Sequence, residues 1–299
     1  MKTTDIHQVD AFTDQLFGGN PAGVVTNADQ LTDEEMVKIA REMNLSETAF
    51  VLQPTGEADV KLRFFTPAAA EIKFCGHATV GALFQLAQLS MFGLGKSGDN
   101  AVRVETNAGV LNMSVLNEKA QVPRVSFGAP AVKMERYHLQ GNDFAEAFGV
   151  SQTLINTDGT ILVDRELNYV YVPTSSLEAL GRQTFDFTRV RKHFGDEGVV
   201  VFCFFSQETK EGNADLHARG LAPNVGVDED PFTGSMQAGL VHAAKQNKYI
   251  PAEQTTVITE QGHFIGRPGF AVISHDLKTD TIVVTAQATP VFSARIELP

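Results

Sequence analysis

The chain has 299 residues, 43% of them apolar, and a formal net charge of −12 at pH 7. This length corresponds to about two domains of ordinary size. The acidic balance argues against nucleic acid or an anionic membrane as a partner, because both require basic surface.

Nothing in the sequence indicates export, membrane insertion or a bound metal. The N-terminal residues lack the apolar stretch of a signal peptide, and the densest apolar run, residues 198–205, is too short to span a bilayer. A cytoplasmic location is therefore expected. Cys75 and Cys203 show no zinc or disulfide spacing, and the 8 histidines form no His-x-x-x-His pattern. The sequence predicts neither a metal nor a cofactor.

The first half of the chain alternates short strands with two helices. An amphipathic helix follows Thr32, which is a capping residue with Glu35 at the capping-box position. A second helix, from His77 to about residue 92, is apolar on nearly all sides, which is typical of a buried helix. Strands are predicted over residues 6–12, 22–26, 48–52, 60–66, 102–105 and 110–115.

The second half repeats this plan after a boundary expected within residues 117–130, where Pro123 and Pro130 interrupt the pattern. The predicted domains are residues 1–120, with a last strand at 286–299 packed onto them, and residues 121–285. Helices are predicted over residues 187–194 and 234–248. Strands are predicted over residues 160–164, 169–173, 198–205, 256–260, 270–274 and 281–285.

Two glycine-centred motifs precede the apolar helices of the two halves: FCGHAT at 74–79 and DPFTGS at 230–235. Each places small residues where a helix is predicted to begin. Helix N-termini carry unpaired N–H groups and partial positive charge, which suit a carboxylate or another anion. The pair indicates a substrate held between two related halves.

Glu47 is the first candidate for acid–base chemistry. It follows Ser46 and precedes an apolar strand, so burial would raise the pKa of its carboxyl and let it exchange a proton near neutrality. The alternative is an ordinary helix-end or turn glutamate exposed to water.

His77 and Asp230 stand at the starts of the two apolar helices. The imidazole could bind a substrate or move a proton, and the carboxylate could accept from an amine or hydroxyl. Each also has a purely structural alternative, as a capping residue for both and as a core histidine for His77. A two-thiol racemase is disfavoured, because it needs a second cysteine opposite Cys75, and Cys203 lies in a strand of buried composition.

Together these motifs resemble the PhzF-like family, named for the phenazine-biosynthesis isomerase. The matching segments follow the family's order over nearly the whole chain: VDAFT (9–13) with GNPA (19–22), LSETAF (45–50), RFFTP (63–67), CGHAT (75–79), DEDPFTGS (228–235) and QGHFIGRP (261–268).

The resemblance implies an α+β, diaminopimelate-epimerase-like fold: two pseudo-symmetric domains, each a curved mixed sheet or open barrel around a central helix, with the active site in the cleft between them. It also implies a cofactor-independent isomerase with Glu47 as the general acid/base. His77 and Asp230 would orient or relay protons, and a homodimer is the family's expected assembly. By the same resemblance, the substrate-binding residues are Ser46, Gly76, Gly234 and Ser235.

The resemblance does not identify the substrate. The segment HARGLAP (217–223) and Met236 differ from the residues that are usual in the family, and they lie on either side of the second motif. The leading hypothesis is proton transfer on a small carboxylate-bearing molecule. An epimerase or racemase of amino or hydroxy acids, with His77 or Asp230 as a second base, and a non-catalytic metabolite-binding protein are the alternatives.

Overall fold

The computed structural model describes residues 2–119 and 121–298 and divides into two compact units. The first comprises Met1–Gly128 and Thr285–Pro299, and the second comprises Ala129–Val284. Met1, Ala120 and Pro299, which bound the predicted domain ranges, lie outside the described residues.

The described elements are mainly strands with a few helices, an α+β arrangement. The helices are α1 Asp33–Met43, α2 Gly76–Gln88, α3 Gly141–Phe148, α4 Leu177–Arg182, α5 Phe187–Phe194 and α6 Gln237–Gln246. The first nine strands are β1 Lys2–Ala11, β2 Asn20–Val25, β3 Thr48–Leu52, β4 Val60–Phe65, β5 Glu71–Ile72, β6 Gly98–Thr106, β7 Gly109–Asn117, β8 Arg124–Gly128 and β9 Met134–Arg136. The other nine are β10 Leu162–Asp164, β11 Tyr169–Pro173, β12 Val201–Ser206, β13 Leu216–Ala222, β14 Val227–Asp230, β15 Thr256–Gln261, β16 Gly269–Asp276, β17 Thr281–Ala286 and β18 Ala288–Leu298.

The first unit packs a mixed sheet against the buried helix α2. Strand β1 pairs antiparallel with both β2 and β18, and β2 continues parallel to β3. Strand β3 pairs antiparallel with β4, which runs parallel to β6, and β6, β7 and β8 follow as an antiparallel series. Every residue of α2 from His77 to Ala87 is buried, because strands β1, β2, β3, β7 and β8 pack against it. Its apolar composition therefore marks the centre of this unit.

The amphipathic helix α1 lies on the first unit with the predicted capping box. The Thr32 hydroxyl accepts from Glu35 N at 3.2 Å, and the Glu35 carboxylate accepts from Thr32 N at 2.7 Å. The apolar face of α1, with Met36 and Ile39, packs into a cluster that includes Phe50.

The second unit has a mixed sheet and a second buried helix, α6. Strand β11 runs parallel to β12 and antiparallel to β10, while β13 pairs with β12, β14 and β15. Helix α6 packs against β9 and β11 so closely that a Cβ on Gly239 would meet the Tyr171 hydroxyl at 2.0 Å. Helices α3 and α5 contribute to a phenylalanine-rich core with β12: Phe144, Phe148, Phe194, Phe202 and Phe204.

The limits of two predicted helices and of the first domain differ from the structure, each for a local reason. Helix α2 ends at Gln88 and not near residue 92, because Ser90 turns into the left-handed region at φ 54° and its N–H returns to Ala87 O. Helix α6 begins at Gln237 and ends at Gln246, because residues 234–236 form a 3₁₀ turn and Lys248, at φ 61°, closes the helix. Residues 124–128 belong to the first unit and not the second, since β8 pairs with β7.

Among the described residues, no helix combines the length and the apolar character needed to cross a membrane.

Candidate functional site

The start of α2 is shaped by an extended Cys75 followed by glycine. Cys75 is the N-cap residue at φ −140° and ψ 117°, and its side chain makes no capping hydrogen bond. Its carbonyl accepts from both Thr79 N and Thr79 Oγ1. Because the first N–H groups of a helix have no partner within it, the uncapped first turn at Gly76 and His77 can receive an anion.

His77 brings two other predicted side chains, Glu47 and Ser46, together with the Cys75 thiol in the first unit. Its Nε2 lies 3.2 Å from Glu47 Oε2 and 3.2 Å from Ser46 Oγ. The Cys75 thiol also contacts the ring, 3.4 Å from Nδ1 and 3.9 Å from Nε2. The Glu47 side chain is 19% exposed and that of His77 is 10% exposed, so both are largely withdrawn from water.

Glu47 is held by the connection between α1 and β3. Asn44 ends α1 in the left-handed conformation at φ 50°, which turns the chain toward β3. The Glu47 carbonyl then accepts from Gly23 N at 3.1 Å, which ties it to β2. Residue 23 must be a glycine, since a Cβ at this position would lie 2.6 Å from the Thr48 hydroxyl. Glu47, which directly precedes β3, is therefore also anchored to β2.

This arrangement suits proton transfer. A carboxylate only accepts, so an ionised Glu47 takes a hydrogen bond from His77 Nε2–H, and a protonated Glu47 donates to an unprotonated Nε2. Neutral His77 with its hydrogen on Nε2 leaves Nδ1 to accept from the Cys75 thiol. A proton can pass between carboxyl and imidazole along this contact.

In the second unit, Asp230 ends β14 and is tied to the turn that follows it. The Thr233 hydroxyl donates to Asp230 Oδ2 at 2.6 Å. The Gln261 side chain holds the same turn, donating from Nε2 to Asp230 O at 2.7 Å and accepting from Thr233 N at 3.2 Å. A Cβ on Gly220 would meet both Gln261 Nε2 and Thr233 Oγ1 within 3.0 Å. The backbone path after Asp230 is thus held by the Gln261 side chain from β15 and by the hydroxyl of Thr233 within the turn.

Gly234 and Ser235 lie in the 3₁₀ turn that precedes α6. The Ser235 hydroxyl is 3.0 Å from Tyr169 OH, and the Tyr171 hydroxyl donates to Met236 O at 3.1 Å. Burial raises the pKa of Tyr169, so its phenol stays protonated at neutral pH. The motif at 230–235 is therefore a pair of turns, with the regular helix beginning after it.

Two groups that support the second motif, Gln261 and Arg219, were not predicted as site residues. Gln261 was noted only within a family segment, and Arg219 only as a departure from family text. Arg219 forms a two-pronged ion pair with Glu229 at 2.9 and 2.7 Å, with both side chains under 10% exposed. The signal in the sequence that could have indicated this ion pair is Arg219 itself, a charged residue in a largely apolar segment that precedes the acidic residues 228–230.

Three groups of the described residues could hold a metal ion: Glu47, Cys75 and His77; His217, Glu260 and His263; and His242, His275 and Asp280.

Comparison with known proteins places the chain in a family. The family model described as "Phenazine biosynthesis-like protein" matches residues 9–294. The curated relative "Uncharacterized isomerase YfhB" of Bacillus subtilis is 32% identical over 298 residues, covering 98% of both chains. These matches confirm the resemblance drawn from the motifs.

Solved structures support the fold. The Bacillus anthracis phenazine biosynthesis protein of the PhzF family superposes with a TM-score of 0.86 at 26% identity, covering 100% of both chains. A hydroxyproline epimerase from Agrobacterium vitis superposes with a TM-score of 0.61 at 8% identity, covering 99% of this chain and 91% of the epimerase. The second likeness concerns the fold alone. The predicted epimerase-like α+β fold is confirmed, and the chain belongs to the phenazine biosynthesis-like PhzC-PhzF family as an isomerase of the PhzF type.

Proposed function

We propose that this isomerase moves a proton on a small carboxylate-bearing substrate without a cofactor, with Glu47 as its general acid/base. The observation that carries the proposal is the 3.2 Å contact between Glu47 Oε2 and His77 Nε2 beside the uncapped start of α2. A carboxyl group and an imidazole at this distance can share one proton, and the adjacent helix terminus suits an anion.

In the proposed step, the Glu47 carboxylate takes a proton from a carbon activated by a neighbouring unsaturated or carbonyl group. The electrons of the broken C–H bond shift into that system, and the resulting Glu47 carboxylic acid returns the proton to a different carbon. One group thus serves first as base and then as acid, so no metal or nucleotide is required for balance. His77 would orient the Glu47 carboxyl through the contact at its Nε2.

The remaining predicted residues take supporting roles in the proposal. The backbone N–H of Gly76 and the Ser46 hydroxyl would hold the substrate's carboxylate in the first unit. In the second unit, Asp230 would accept from a hydroxyl or amine of the substrate, and Gly234 and Ser235 would offer N–H and hydroxyl donors.

The test is conversion in D₂O, followed by proton NMR over a panel of small cyclic and acyclic amino and hydroxy acids. Glu47→Gln keeps the size of the side chain but removes the base, so we expect at least ~100-fold slower conversion. Glu42→Gln is the matched control, because Glu42 is an exposed glutamate on α1. A Glu47→Gln variant with full turnover would contradict the proposal.

The same experiment separates the alternatives. Transfer by one group can retain the substrate's own hydrogen in the product, whereas a two-base epimerase inverts the α-carbon and places solvent deuterium there. A two-base epimerase needs its bases on opposite faces of the α-carbon, so an imidazole 3.2 Å from Glu47 does not supply the second base, which leaves Asp230 as the candidate for that role. Saturable binding without conversion, unchanged in Glu47→Gln, would instead indicate a metabolite-binding protein.

A further inference from the structure

The second unit holds a cluster of ionisable side chains that the proposed reaction does not use. His242 comes from α6, His275 from β16, and Asp280 from the turn between β16 and β17. The His275 side chain is 5% exposed, that of His242 is 18% exposed and that of Asp280 is 69% exposed. The two histidines are therefore mostly buried, and solvent reaches the cluster from the side of Asp280.

The potential ligand atoms converge. His275 Nε2 lies 2.7 Å and His242 Nε2 lies 3.7 Å from Asp280 Oδ1. One ligand atom from each residue lies within 4.8 Å of the others. With metal–ligand bonds of about 2.0–2.1 Å, tetrahedral geometry separates ligand atoms by about 3.3 Å. The two separations from Asp280, 2.7 and 3.7 Å, thus lie within about 0.6 Å of this value, and Asp280 lies in an exposed turn that can adjust.

We propose that His242, His275 and Asp280 form a binding site for a borderline divalent cation of the Zn²⁺ type. Two imidazoles and one carboxylate suit zinc and its first-row neighbours, whereas Mg²⁺ and Ca²⁺ prefer ligand sets made of oxygen. Three protein ligands leave the fourth position of a tetrahedral site to water, on the side where Asp280 is exposed. The site is independent of the proposed function.

The imidazole of His242 supports this assignment. It makes no hydrogen bond to the residues that the structure describes, and its one ion-pair contact is with Asp280 at 3.7 Å. Its ring lies 5.1 Å from that of His275, measured between centroids. Within the described residues, its ring nitrogens therefore have no hydrogen-bond partner that a cation would have to displace.

The positive charge of Lys245 would repel a cation bound to His275, which provides a further test. Its ammonium donates to His275 Nδ1 at 2.9 Å, so without a cation Nε2 carries hydrogen toward Asp280. A cation on Nε2 would move the ring hydrogen to Nδ1 and require the lysine to turn away or lose a proton. Lys245→Gln removes the positive charge and is expected to tighten zinc binding severalfold.

The other two groups are less suitable as a separate site. Glu260 is already occupied, since its carboxylate accepts from His217 Nδ1 at 2.6 Å and from the N–H groups of Lys210 and Glu211 at 2.5 and 2.8 Å. Glu47, Cys75 and His77 belong to the proposed active site. Their thiol and imidazole also bind zinc, so a test must remove that group first.

The test is calorimetric titration of the full chain with ZnCl₂ in a Cys75→Ala, His77→Ala background. We expect one bound Zn²⁺ per chain in this background. His242→Ala and Asp280→Asn should each weaken its binding at least tenfold. Asparagine tolerates the left-handed conformation of residue 280 (φ 56°), so Asp280→Asn changes the ligand and keeps the turn. Circular dichroism checks that each variant folds.

Co²⁺ distinguishes the two sites by their donors. Bound to His242, His275 and Asp280, it should give visible d–d bands without the thiolate-to-cobalt charge-transfer band that Cys75 would produce. Absence of a binding event in the background protein would overturn the proposal. So would binding that His242→Ala and Asp280→Asn leave unchanged.

Discussion

At the residue scale, the buried pair of His217 and Glu260 shows how local contacts set the charge states of this protein. Burial lowers the pKa of His217 despite the opposing attraction of Glu260. Burial works against the ionised form of Glu260, yet the hydrogen bond from His217 and those from Lys210 N and Glu211 N keep its pKa below the ordinary value. A folded state with neutral His217 beside ionised Glu260 satisfies both shifts.

This pair predicts a pH dependence of stability. Below about pH 6.5 the unfolded chain binds a proton at residue 217. Folded His217 resists protonation, so stability is full above that pH and falls as the pH decreases toward the folded pKa. Glu260 contributes to acid unfolding only at lower pH, since its unfolded pKa is about 4.3. Between pH 6.5 and 5, His217→Gln should reduce the slope of unfolding free energy against pH by at most about 1.4 kcal/mol per pH unit.

The measurement is urea unfolding at several pH values, with the wild type beside His217→Gln. Glutamine can still donate to Glu260, which preserves the buried contact. His7 and His242, whose pKa values burial also lowers, remain in both proteins and cancel in the comparison. Identical slopes would show that His217 does not cause the pH dependence.

At the element scale, each helix is determined by a different kind of interaction. α1 has an amphipathic face and a capping box, which are local and readable in the sequence. α2 and α6 are almost wholly enclosed, so their stability comes from the strands around them. The contact between Gly239 and Tyr171 shows how little space separates α6 from β11.

The cap of α1 provides a direct test of local stabilisation. Thr32→Ala removes the acceptor for Glu35 N and should lower the opening free energy of α1 by about 1 kcal/mol. Thr32→Ser keeps the hydroxyl and should stay within a few tenths of a kcal/mol of the wild type. Hydrogen exchange of α1 amides measures both, and equal protection in the two variants would contradict the role of the cap.

At the scale of the whole molecule, the ends of the chain complete one unit. Strand β18 pairs with β1 from Lys2 opposite Leu298 to Ala11 opposite Ala288. The first unit thus needs residues from both ends of the sequence, while the second is one continuous segment. The predicted homodimer and the exclusion of nucleic acid and membrane partners stay predictions at this scale.

Removing residues 288–299 should therefore destabilise β1. Each amide of β1 that bonds to β18 would lose its partner, so hydrogen exchange measured by mass spectrometry should show faster exchange across residues 2–11. Peptides covering β12, whose described pairings are to β11 and β13, provide the reference. Unchanged protection of β1 would show that β18 contributes nothing to this edge.

The sequence by itself determined the family through its ordered motifs, the fold class that this family implies, and many of the elements, but it did not predict α3, α4 or β13. Alternating strands, a capping box and two apolar helices are local patterns, and they could be read because each depends on residues a few positions apart. The motifs also identified Glu47, His77 and Asp230, although their roles remain proposals.

Only the tertiary structure decided which side chains meet. Glu47 and His77 belong to separate elements, and their 3.2 Å contact depends on β2, β3 and α2 packing together. His242, His275 and Asp280 have no sequence spacing typical of a metal site, so the sequence predicted none. Helix packing and strand pairing bring them within reach of one cation. Such contacts depend on the fold of the whole unit and not on residues that are neighbours in the sequence, so a local pattern could not predict them.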